Sequence, residues 1–114
     1  MKRDPAVYLQ HILDAIAKVK TYLRGISETA FVANSLVQDG VIRQIEIIGE
    51  ATRRLPIDVR QKYSQVPWDD IAGMRDKLIH DYFGVDLDKV WLTAVQDLPV
   101  LQTEVAKVLA ELSA

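Results

Sequence analysis

The sequence has no cysteine among its 114 residues, and this absence excludes several classes of protein at once. Without cysteine there are no disulfide bonds, no thiolate nucleophile and no sulfur ligands for zinc or iron. No apolar run exceeds four residues, which is far too short to cross a membrane. The N-terminal residues lead into an amphipathic segment rather than the apolar stretch of a signal peptide. We therefore expect a cytoplasmic protein with no membrane association.

The sequence also lacks an excess of charge of one sign. Its 14 basic and 16 acidic residues give a net charge of -2, which argues against a strongly basic nucleic-acid-binding surface. With 49% apolar residues, the chain is predicted to fold as one domain over residues 1–114. Residues 51–80 nevertheless carry six basic and four acidic side chains. This pattern fits either solvated helix faces or a local site for a short polyanion, formed by Arg53, Arg54, Arg60, Arg75 and Lys77.

Histidine is scarce, since the chain contains only His11 and His80. The sequence has no His-Glu-x-x-His motif, no glycine-rich phosphate loop and no Gly-x-Ser-x-Gly elbow, which excludes most enzyme classes that are recognised by motif. We expect neither a metal site nor a bound cofactor. His11 is interpreted as an ordinary surface or boundary histidine.

Helical periodicity runs through almost the whole chain, whereas no segment alternates with the period of a strand. This pattern predicts an all-α fold, an antiparallel bundle of four to five helices with short connections. The first helix is predicted to have Asp4 as N-cap and Pro5 as its first residue, and to end at Gly25. Its buried face is predicted to consist of Leu9, Ile12, Leu13, Ile16, Val19 and Leu23.

The remaining helices are predicted from the same signals. A turn containing Ser27 and Phe31 precedes a long helix from about residue 35 until Pro56, and a brief helical piece follows at 57–63. Two further helices are expected, at 67–84 and after Asp86. Pro99 should either kink the last helix or restart it with Asp97 as a new N-cap. The predicted apolar stripes of the three main helices are Val41, Ile45, Ile48, Thr52 and Leu55; Trp68, Ile71, Met74, Leu78 and Tyr82; and Ala94, Leu98, Leu101, Val105, Val108 and Leu112.

Arg75 and His80 form the most unusual local combination in the sequence. On a straight helix Arg75 would lie on the apolar side with Ile71 and Leu78, so it should pair with a carboxylate inside the bundle or face a cleft or a second subunit. Asp76 precedes His80 by four residues and could hold the imidazole. Arg75 and His80 would point about 140° apart on such a helix, so they would not easily meet within one chain.

Two chains packed about a twofold axis would bring these side chains into one cleft, with Gly73 permitting the close approach. Two imidazoles and two guanidinium groups could then cleave RNA without a metal. One histidine would accept the proton of a 2′-hydroxyl, a second would protonate the leaving 5′-oxygen, and arginine would stabilise the charge on phosphorus. A structural network of arginine, aspartate and histidine explains the same residues without any chemistry.

The segment Arg75-x4-His80-x-Tyr82 resembles the Arg-x4-6-His signature of the HEPN superfamily, and more narrowly the HepT-like toxins that pair with minimal nucleotidyltransferases. Further landmarks of this family occur in the right order between about residues 35 and 101. They are Ile48-Gly49-Glu50-Ala51, Pro67-Trp68, Ile71, Gly73, Met74, Val85-Asp86, Val90-Trp91 and Asp97-Leu98-Pro99.

The resemblance implies a homodimeric, metal-independent endoribonuclease of a toxin–antitoxin system, with Arg75 and His80 as the catalytic pair between protomers. Asp76 occupies a polar position that is commonly asparagine in this subgroup, and an anion there would weaken RNA binding. Tyr82 matches the tyrosine that the partner nucleotidyltransferase modifies with AMP. Such a modification would block the cleft and repel an RNA backbone.

Three residues admit both a structural and a functional interpretation. Glu50 is predicted opposite the apolar stripe of its helix, either in a surface ion-pair ladder or with a structural role near the active cleft. Trp68 and Trp91 are interpreted as core or interface anchors rather than as platforms for stacking bases. For the whole chain, the alternatives to a ribonuclease are a catalytically weak module that binds a nucleotidyltransferase or nucleotide, and a purely structural helical dimer.

Overall fold

The computed structural model describes residues 4–79 and 84–113, which form eight α-helices. Three of them are long and the others have five or six residues each. In chain order the helices are α1 Pro5–Tyr22, α2 Glu28–Val32, α3 Ser35–Arg53, α4 Ile57–Lys62, α5 Trp68–Ala72, α6 Met74–Leu78, α7 Leu87–Leu92 and α8 Leu98–Ser113. Apart from one isolated bridge, the described residues contain no β-structure. The predicted all-α class is confirmed, and its homodimeric assembly stays a prediction.

Helix α1 begins as its sequence predicts. The Asp4 carboxylate accepts a hydrogen bond from the Ala6 N–H at 2.9 Å, and Pro5 is the first helical residue. The helix ends at Tyr22, and Gly25 then adopts a φ of +73°, a conformation that glycine takes without strain. Helix α1 packs mainly against α3 and α8. Its buried side chains are Leu9, Ile12, Ala15, Ile16 and Val19.

The core lies between the three long helices. Most of the predicted apolar stripes of α3 and α8 are confirmed, because their members are almost completely inaccessible to solvent: Val41, Ile45, Ile48, Thr52, Leu55, Leu98, Leu101, Val105 and Val108. The buried Thr52 hydroxyl donates a hydrogen bond to the Ile48 carbonyl at 2.8 Å, so it brings no unpaired polar atom into the core. Leu112 is exposed, since it lies in the last turn of α8, beyond the packed part of the bundle.

The segment predicted as a turn between the first two long helices is instead a short helix, α2. Ser27 caps it by accepting a hydrogen bond from the Ala30 N–H at 3.2 Å. Its one fully buried side chain, Phe31, packs on Trp91 with ring centroids 5.5 Å apart. Trp68 is also buried, and its indole N–H donates to the Tyr63 carbonyl at 3.0 Å. Both tryptophans therefore serve as packing anchors.

The prediction of one helix from Pro67 to Gly84 is wrong. The chain forms two five-residue helices, α5 and α6, separated at Gly73. Helix α6 ends at Leu78, because Ile79 is extended (φ −120°, ψ 115°) and bridges to Val85. The Asp86 N–H donates a hydrogen bond to the Leu78 carbonyl at 2.9 Å. This bond pairs a carbonyl group that would have accepted from a residue of the next turn if the helix had continued.

The helical region that contains Pro99 includes one turn that is wider than an α-helical turn. Between α7 and α8, the segment Thr93–Asp97 forms a π-helical turn, and the backbone stays helical at Leu92 and Leu98. A wider turn accommodates the missing N–H of a proline without breaking the helix. The predicted restart with Asp97 as N-cap is therefore wrong. The predicted cap at Asp86 is confirmed, since its carboxylate accepts from the Lys89 N–H at 3.2 Å.

None of the helices in the described parts of the chain is both long and apolar enough to cross a membrane.

Candidate functional site

Arg75 lies at the surface where α6 packs against α3. Its Nε donates a hydrogen bond to Oε2 of Glu46 on α3 at 3.3 Å, and its Nη1 lies 3.5 Å from Oδ1 of Asp76. The Arg75 side chain is 47% exposed. Arg75 does pair with a carboxylate, but the pair lies at the surface, so the predicted pairing inside the bundle and the predicted placement on the apolar side are both wrong. The alternative that Arg75 faces a cleft or a second subunit stays a prediction. The helical count from Ile71 does not hold across the break at Gly73.

The exposed guanidinium retains capacity to bind an anion. Arginine carries five N–H donors in a planar fork, and Glu46 accepts only the Nε–H. The outer Nη edge has the geometry that binds two oxygens of one phosphate. An arginine held in this way can bind an RNA backbone or stabilise negative charge that develops on a phosphate.

His80 and Tyr82 lie outside the described residues, so their predicted roles stay predictions. The predicted helix itself stops earlier than the sequence suggests, since α6 ends at Leu78 and Ile79 is extended. Asp76 itself lies in the first turn of α6 and points to solvent, with a side chain that is 70% exposed.

Glu50 forms the surface ion pair that was one of its two interpretations. Its Oε1 accepts a hydrogen bond from Arg54 Nε at 3.0 Å, one turn later on α3. It also lines a shallow groove of about 220 Å³ between α1 and α3, together with Tyr8, His11, Arg43, Glu46, Ile47, Ala51 and Arg54. Glu46 belongs to this groove and also binds Arg75, so the two regions adjoin.

Glu46 is the site residue that sequence reasoning missed. It lies four residues before Glu50 on α3, which is about one helical turn, and this spacing can be seen in the sequence. Its partner Arg75, however, is 29 positions away in the chain. His11 was interpreted as an ordinary histidine, and the structure places it on the groove wall with its ring edge-to-face against Tyr8, at 6.4 Å between centroids.

The contact that brings α3 close to the Arg75 segment occurs at Gly49. A Cβ atom at this position would lie 3.2 Å from the Ala72 carbonyl oxygen, which is tighter than an ordinary contact. At Gly73 a Cβ would be 3.5 Å from the Asp69 carbonyl oxygen, an ordinary distance. Within the chain, the close approach therefore depends on Gly49 and not on Gly73, the glycine predicted to permit close packing between chains.

The predicted basic region consists largely of ion pairs. Lys77 Nζ lies 3.4 Å from Asp70 Oδ1, and Arg60 Nη1 lies 4.0 Å from Asp69 Oδ1. With Arg54 and Arg75 also paired, this surface is not a continuous positive patch. A larger groove of about 630 Å³ lies between α5–α6 and α7–α8, but Arg75 does not line it. The chemistry available in the described residues is therefore concentrated at Arg75 and its carboxylate partners.

Comparison with known proteins connects this arrangement to ribonucleases. A family model described as "Ribonuclease HepT-like" matches residues 12–108. A Thermococcus cleftensis protein named "Probable ribonuclease HepT" is 41% identical over 107 residues, covering 94% of this chain and 97% of the relative. The protein "Putative RNase TTE0752" of Caldanaerobacter subterraneus subsp. tengcongensis is 43% identical over 107 residues, covering 94% and 96%.

A longer relative shares the same region. The Methanocaldococcus jannaschii protein "Gamma-glutamylcyclotransferase and putative RNase MJ0434" is 45% identical over 112 residues, which is 98% of this chain but 50% of the relative. The chain thus spans half the length of that protein. No solved structure is significantly similar to the chain. The family match covers most of the sequence and includes the Arg75 segment, so the chain belongs to the ribonuclease HepT-like family of the HEPN superfamily.

Proposed function

We propose that the protein is a metal-independent endoribonuclease and the toxin of a toxin–antitoxin system. The observation that carries this proposal is the half-exposed Arg75 guanidinium, which is anchored through Nε and presents its outer edge at the surface of a HepT-like domain. The ribonuclease names of the relatives support the same reaction class. In this proposal the substrate is RNA, and the protein acts on it in the cytoplasm.

In the proposed reaction, the 2′-oxygen of a ribose attacks the adjacent phosphorus while the bond to the 5′-oxygen breaks. His80 accepts the 2′-hydroxyl proton, and an imidazole protonates the leaving 5′-oxygen. Arg75 stabilises the additional negative charge on the phosphate oxygens. The products are a 2′,3′-cyclic phosphate and a 5′-hydroxyl, so no water or metal takes part in this step.

The proposed active form is a homodimer. Each chain supplies one His80, whereas the reaction uses one imidazole as base and another as acid. The position of Arg75 at the surface of the bundle, rather than inside it, supports a site that lies between two chains. A mixture of Arg75→Ala and His80→Ala chains tests this arrangement. Partial return of cleavage in the heterodimer is expected for a shared cleft, whereas two self-contained sites would give none.

The proposed antitoxin is a minimal nucleotidyltransferase that transfers AMP to Tyr82. Tyr82 lies two positions after His80, so the added nucleotide would occupy the space that the RNA backbone needs. Its phosphate would also repel that backbone. Incubation with the partner and ATP is expected to add one AMP mass to the wild-type chain and none to Tyr82→Phe, with loss of RNA cleavage only in the modified protein.

A second candidate is a catalytically weak module that binds the nucleotidyltransferase or a nucleotide. The observation that favours it is the pairing of Arg75 with two carboxylates, Glu46 and Asp76, which leaves this cluster with a net negative charge. An incoming phosphate meets repulsion there as well as attraction. Binding of the partner with no RNA cleavage by either the wild type or Asp76→Asn would favour this candidate.

The test of the main proposal is His80→Ala, compared with the wild type and with the control His11→Ala. If His80 acts as acid or base, cleavage falls by about 100-fold or more, a typical loss for removal of such a group. Size-exclusion chromatography should show an unchanged assembly. Cleavage by the wild type should persist in excess chelator and leave cyclic phosphate ends. Undiminished cleavage by His80→Ala would refute the assignment, and a magnesium requirement would refute the mechanism.

A further inference from the structure

The contact between Glu46 and Arg75 is the link within the described residues that joins the scaffold helix α3 to the candidate catalytic arginine through side chains. Arg75 Nε and Glu46 Oε2 are 3.3 Å apart, and both side chains are partly shielded from solvent. Glu46 belongs to a 19-residue helix, whereas Arg75 belongs to a five-residue helix that cannot be rigid alone. The carboxylate therefore supplies an anchor that the short helix lacks.

The atom that Glu46 contacts determines how the guanidinium is presented. A hydrogen bond at Nε restrains the plane of the fork and leaves the Nη1–Nη2 edge free of Glu46. Two oxygens of a phosphate bind to such an edge. An unanchored arginine loses up to about 2 kcal/mol of rotamer freedom when it is fixed. An arginine that is already held at Nε has lost part of this freedom before the substrate arrives.

The other carboxylates nearby do not provide this anchor. Asp76 lies on α6 beside Arg75, at 3.5 Å from Nη1, so it moves with the same short helix and contacts the edge that a phosphate would use. Glu50 is one turn further along α3, but it is paired with Arg54 at 3.0 Å. Glu46 alone among these three residues belongs to the scaffold and contacts the inner nitrogen of Arg75.

We propose that Glu46 is a positioning residue of this protein, which holds Arg75 by its Nε so that the outer edge of the guanidinium is oriented for the phosphate that is cleaved. This inference rests on the proposed ribonuclease function. It assigns Glu46 an effect through Arg75 and no contact with the RNA. It also predicts that the acceptor oxygen matters more than the negative charge, because an amide oxygen can accept the same N–H.

The kinetic test compares Glu46→Ala and Glu46→Gln with Glu50→Ala and Glu50→Gln, using a short RNA with a fluorophore and quencher. Glu50 is the matched control, since it is a glutamate on the same helix with its own arginine partner. We expect Glu46→Ala to lower kcat by about 10- to 100-fold, in the range for a misplaced catalytic group, with KM changed less than about threefold. Glu46→Gln should restore most of kcat, and both Glu50 variants should match the wild type.

A second measurement reports on the contact itself and does not depend on cleavage. The exchange of arginine Nε–H protons with water is measured by NMR, with the Arg75 signal assigned from its loss in Arg75→Lys. Removing one hydrogen bond should speed exchange at Arg75 by about tenfold in Glu46→Ala, while Arg54 is unaffected. Glu50→Ala should give the reverse result. Exchange at Arg75 that is unchanged in Glu46→Ala would overturn the proposal.

Two kinetic outcomes would also overturn it. Normal kcat in Glu46→Ala would show that Arg75 needs no anchor. A lower KM with normal kcat would show that Glu46 merely competes with the phosphate for the guanidinium. Either result requires a wild type that cleaves RNA, so it refutes the role of Glu46 and leaves the proposed function standing. An inactive wild type would instead refute the proposed function, together with the catalytic role that rests on it.

Discussion

The long helices and the short helices of this protein differ in what holds them in place. Helices α1, α3 and α8 have 18, 19 and 16 residues, and their apolar stripes pack together over several turns. Helices α5 and α6 have five residues each, and helices of this length do not form on their own in water. They depend on packing against α3. Stability is thus concentrated in one region, and the candidate chemistry lies in the other.

This difference explains why the site needs tertiary anchors. A long amphipathic helix fixes the direction of its own side chains through its periodicity. A single turn such as α6 does not, so the direction of Arg75 depends on Glu46 and on the close approach at Gly49. Residues on the two regions should therefore respond differently to substitution. Changes in the buried stripes of the long helices should alter stability, whereas changes in α6, or in the α3 residues that contact the Arg75 segment, should alter activity.

The largest effect on stability is expected from a cavity in the long-helix region. Leu9 on α1 is fully buried, so Leu9→Ala should lower the free energy of unfolding by about 2–5 kcal/mol, because packing contacts are lost and the cavity is only partly filled. Leu36 on α3 is 80% exposed, and Leu36→Ala should change the free energy of unfolding by less than about 0.5 kcal/mol. Urea denaturation followed by circular dichroism measures both.

The Leu9→Ala variant also tests whether a loss of stability leaves the catalytic activity of the folded protein unchanged. At a temperature where Leu9→Ala remains folded, its rate of RNA cleavage per folded molecule should equal that of the wild type. A large loss of this rate would show that the packing of the buried core also determines the geometry at Arg75, which would contradict the comparison.

A smaller effect, a destabilisation of up to about 2 kcal/mol, is expected from Gly49→Ala. Replacing a helical glycine by alanine gains about 1 kcal/mol of helix propensity, but the new methyl group would press on the Ala72 carbonyl and overpacking costs about 1–3 kcal/mol. Since a backbone atom must move, α5 and α6 should shift and RNA cleavage should also fall. Thermal unfolding and initial cleavage rates measure the two consequences.

Gly40→Ala is the matched control on the same helix. A Cβ at Gly40 would lie 3.3 Å from the Tyr22 ring, which is a partly exposed side chain that can turn aside. Here the gain in helix propensity should prevail, so the variant should be unchanged or stabilised by up to about 1 kcal/mol. If Gly49→Ala were as stable as Gly40→Ala, the close approach would not constrain the short helices.

Sequence reasoning succeeded where the signals extend over many residues. The apolar stripes of α1, α3 and α8 repeat over several turns. The caps at Asp4 and Asp86 depend only on neighbouring residues, since each carboxylate accepts a hydrogen bond from an N–H group in the first turn of its own helix. It failed where a helix is short. The exit of the chain at Ile79 depends on the bridge to Val85, and the Arg75 partner depends on a contact between distant positions. Neither contact leaves a periodic pattern, so the sequence indicates Arg75 as a candidate residue but does not predict its contacts.

A modest effect, about 1 kcal/mol, is expected at the well-predicted start of α1. Asp4→Ala removes the acceptor of the Ala6 N–H and leaves that donor without its cap, whereas Asp4→Asn keeps an acceptor oxygen. Unfolding free energies should therefore fall for the alanine variant and stay close to the wild type for asparagine. Equal losses in both variants would mean that the carboxylate charge, rather than the hydrogen bond, stabilises this helix terminus.

The smallest effect is expected on RNA binding, from Asp76→Asn. Asp76 lies 3.5 Å from Arg75 Nη1 and is largely exposed, so its charge weakens the attraction of the guanidinium for a phosphate, but solvent screens it. Replacing it should tighten RNA binding by a few fold, corresponding to less than about 1 kcal/mol. Fluorescence anisotropy with a short RNA measures this change, which should shrink as the salt concentration rises.

Asp70→Asn controls for the general loss of one negative charge. Asp70 is similarly exposed on α5 but is paired with Lys77 at 3.4 Å, not with Arg75. If both variants tightened binding equally, the effect would reflect net charge alone and Arg75 would have no special place in RNA binding. If only Asp76→Asn does so, the short helices contain a local balance between Arg75 and its carboxylates. Glu46 would then hold the guanidinium in position, and Asp76 would limit how strongly that guanidinium attracts RNA.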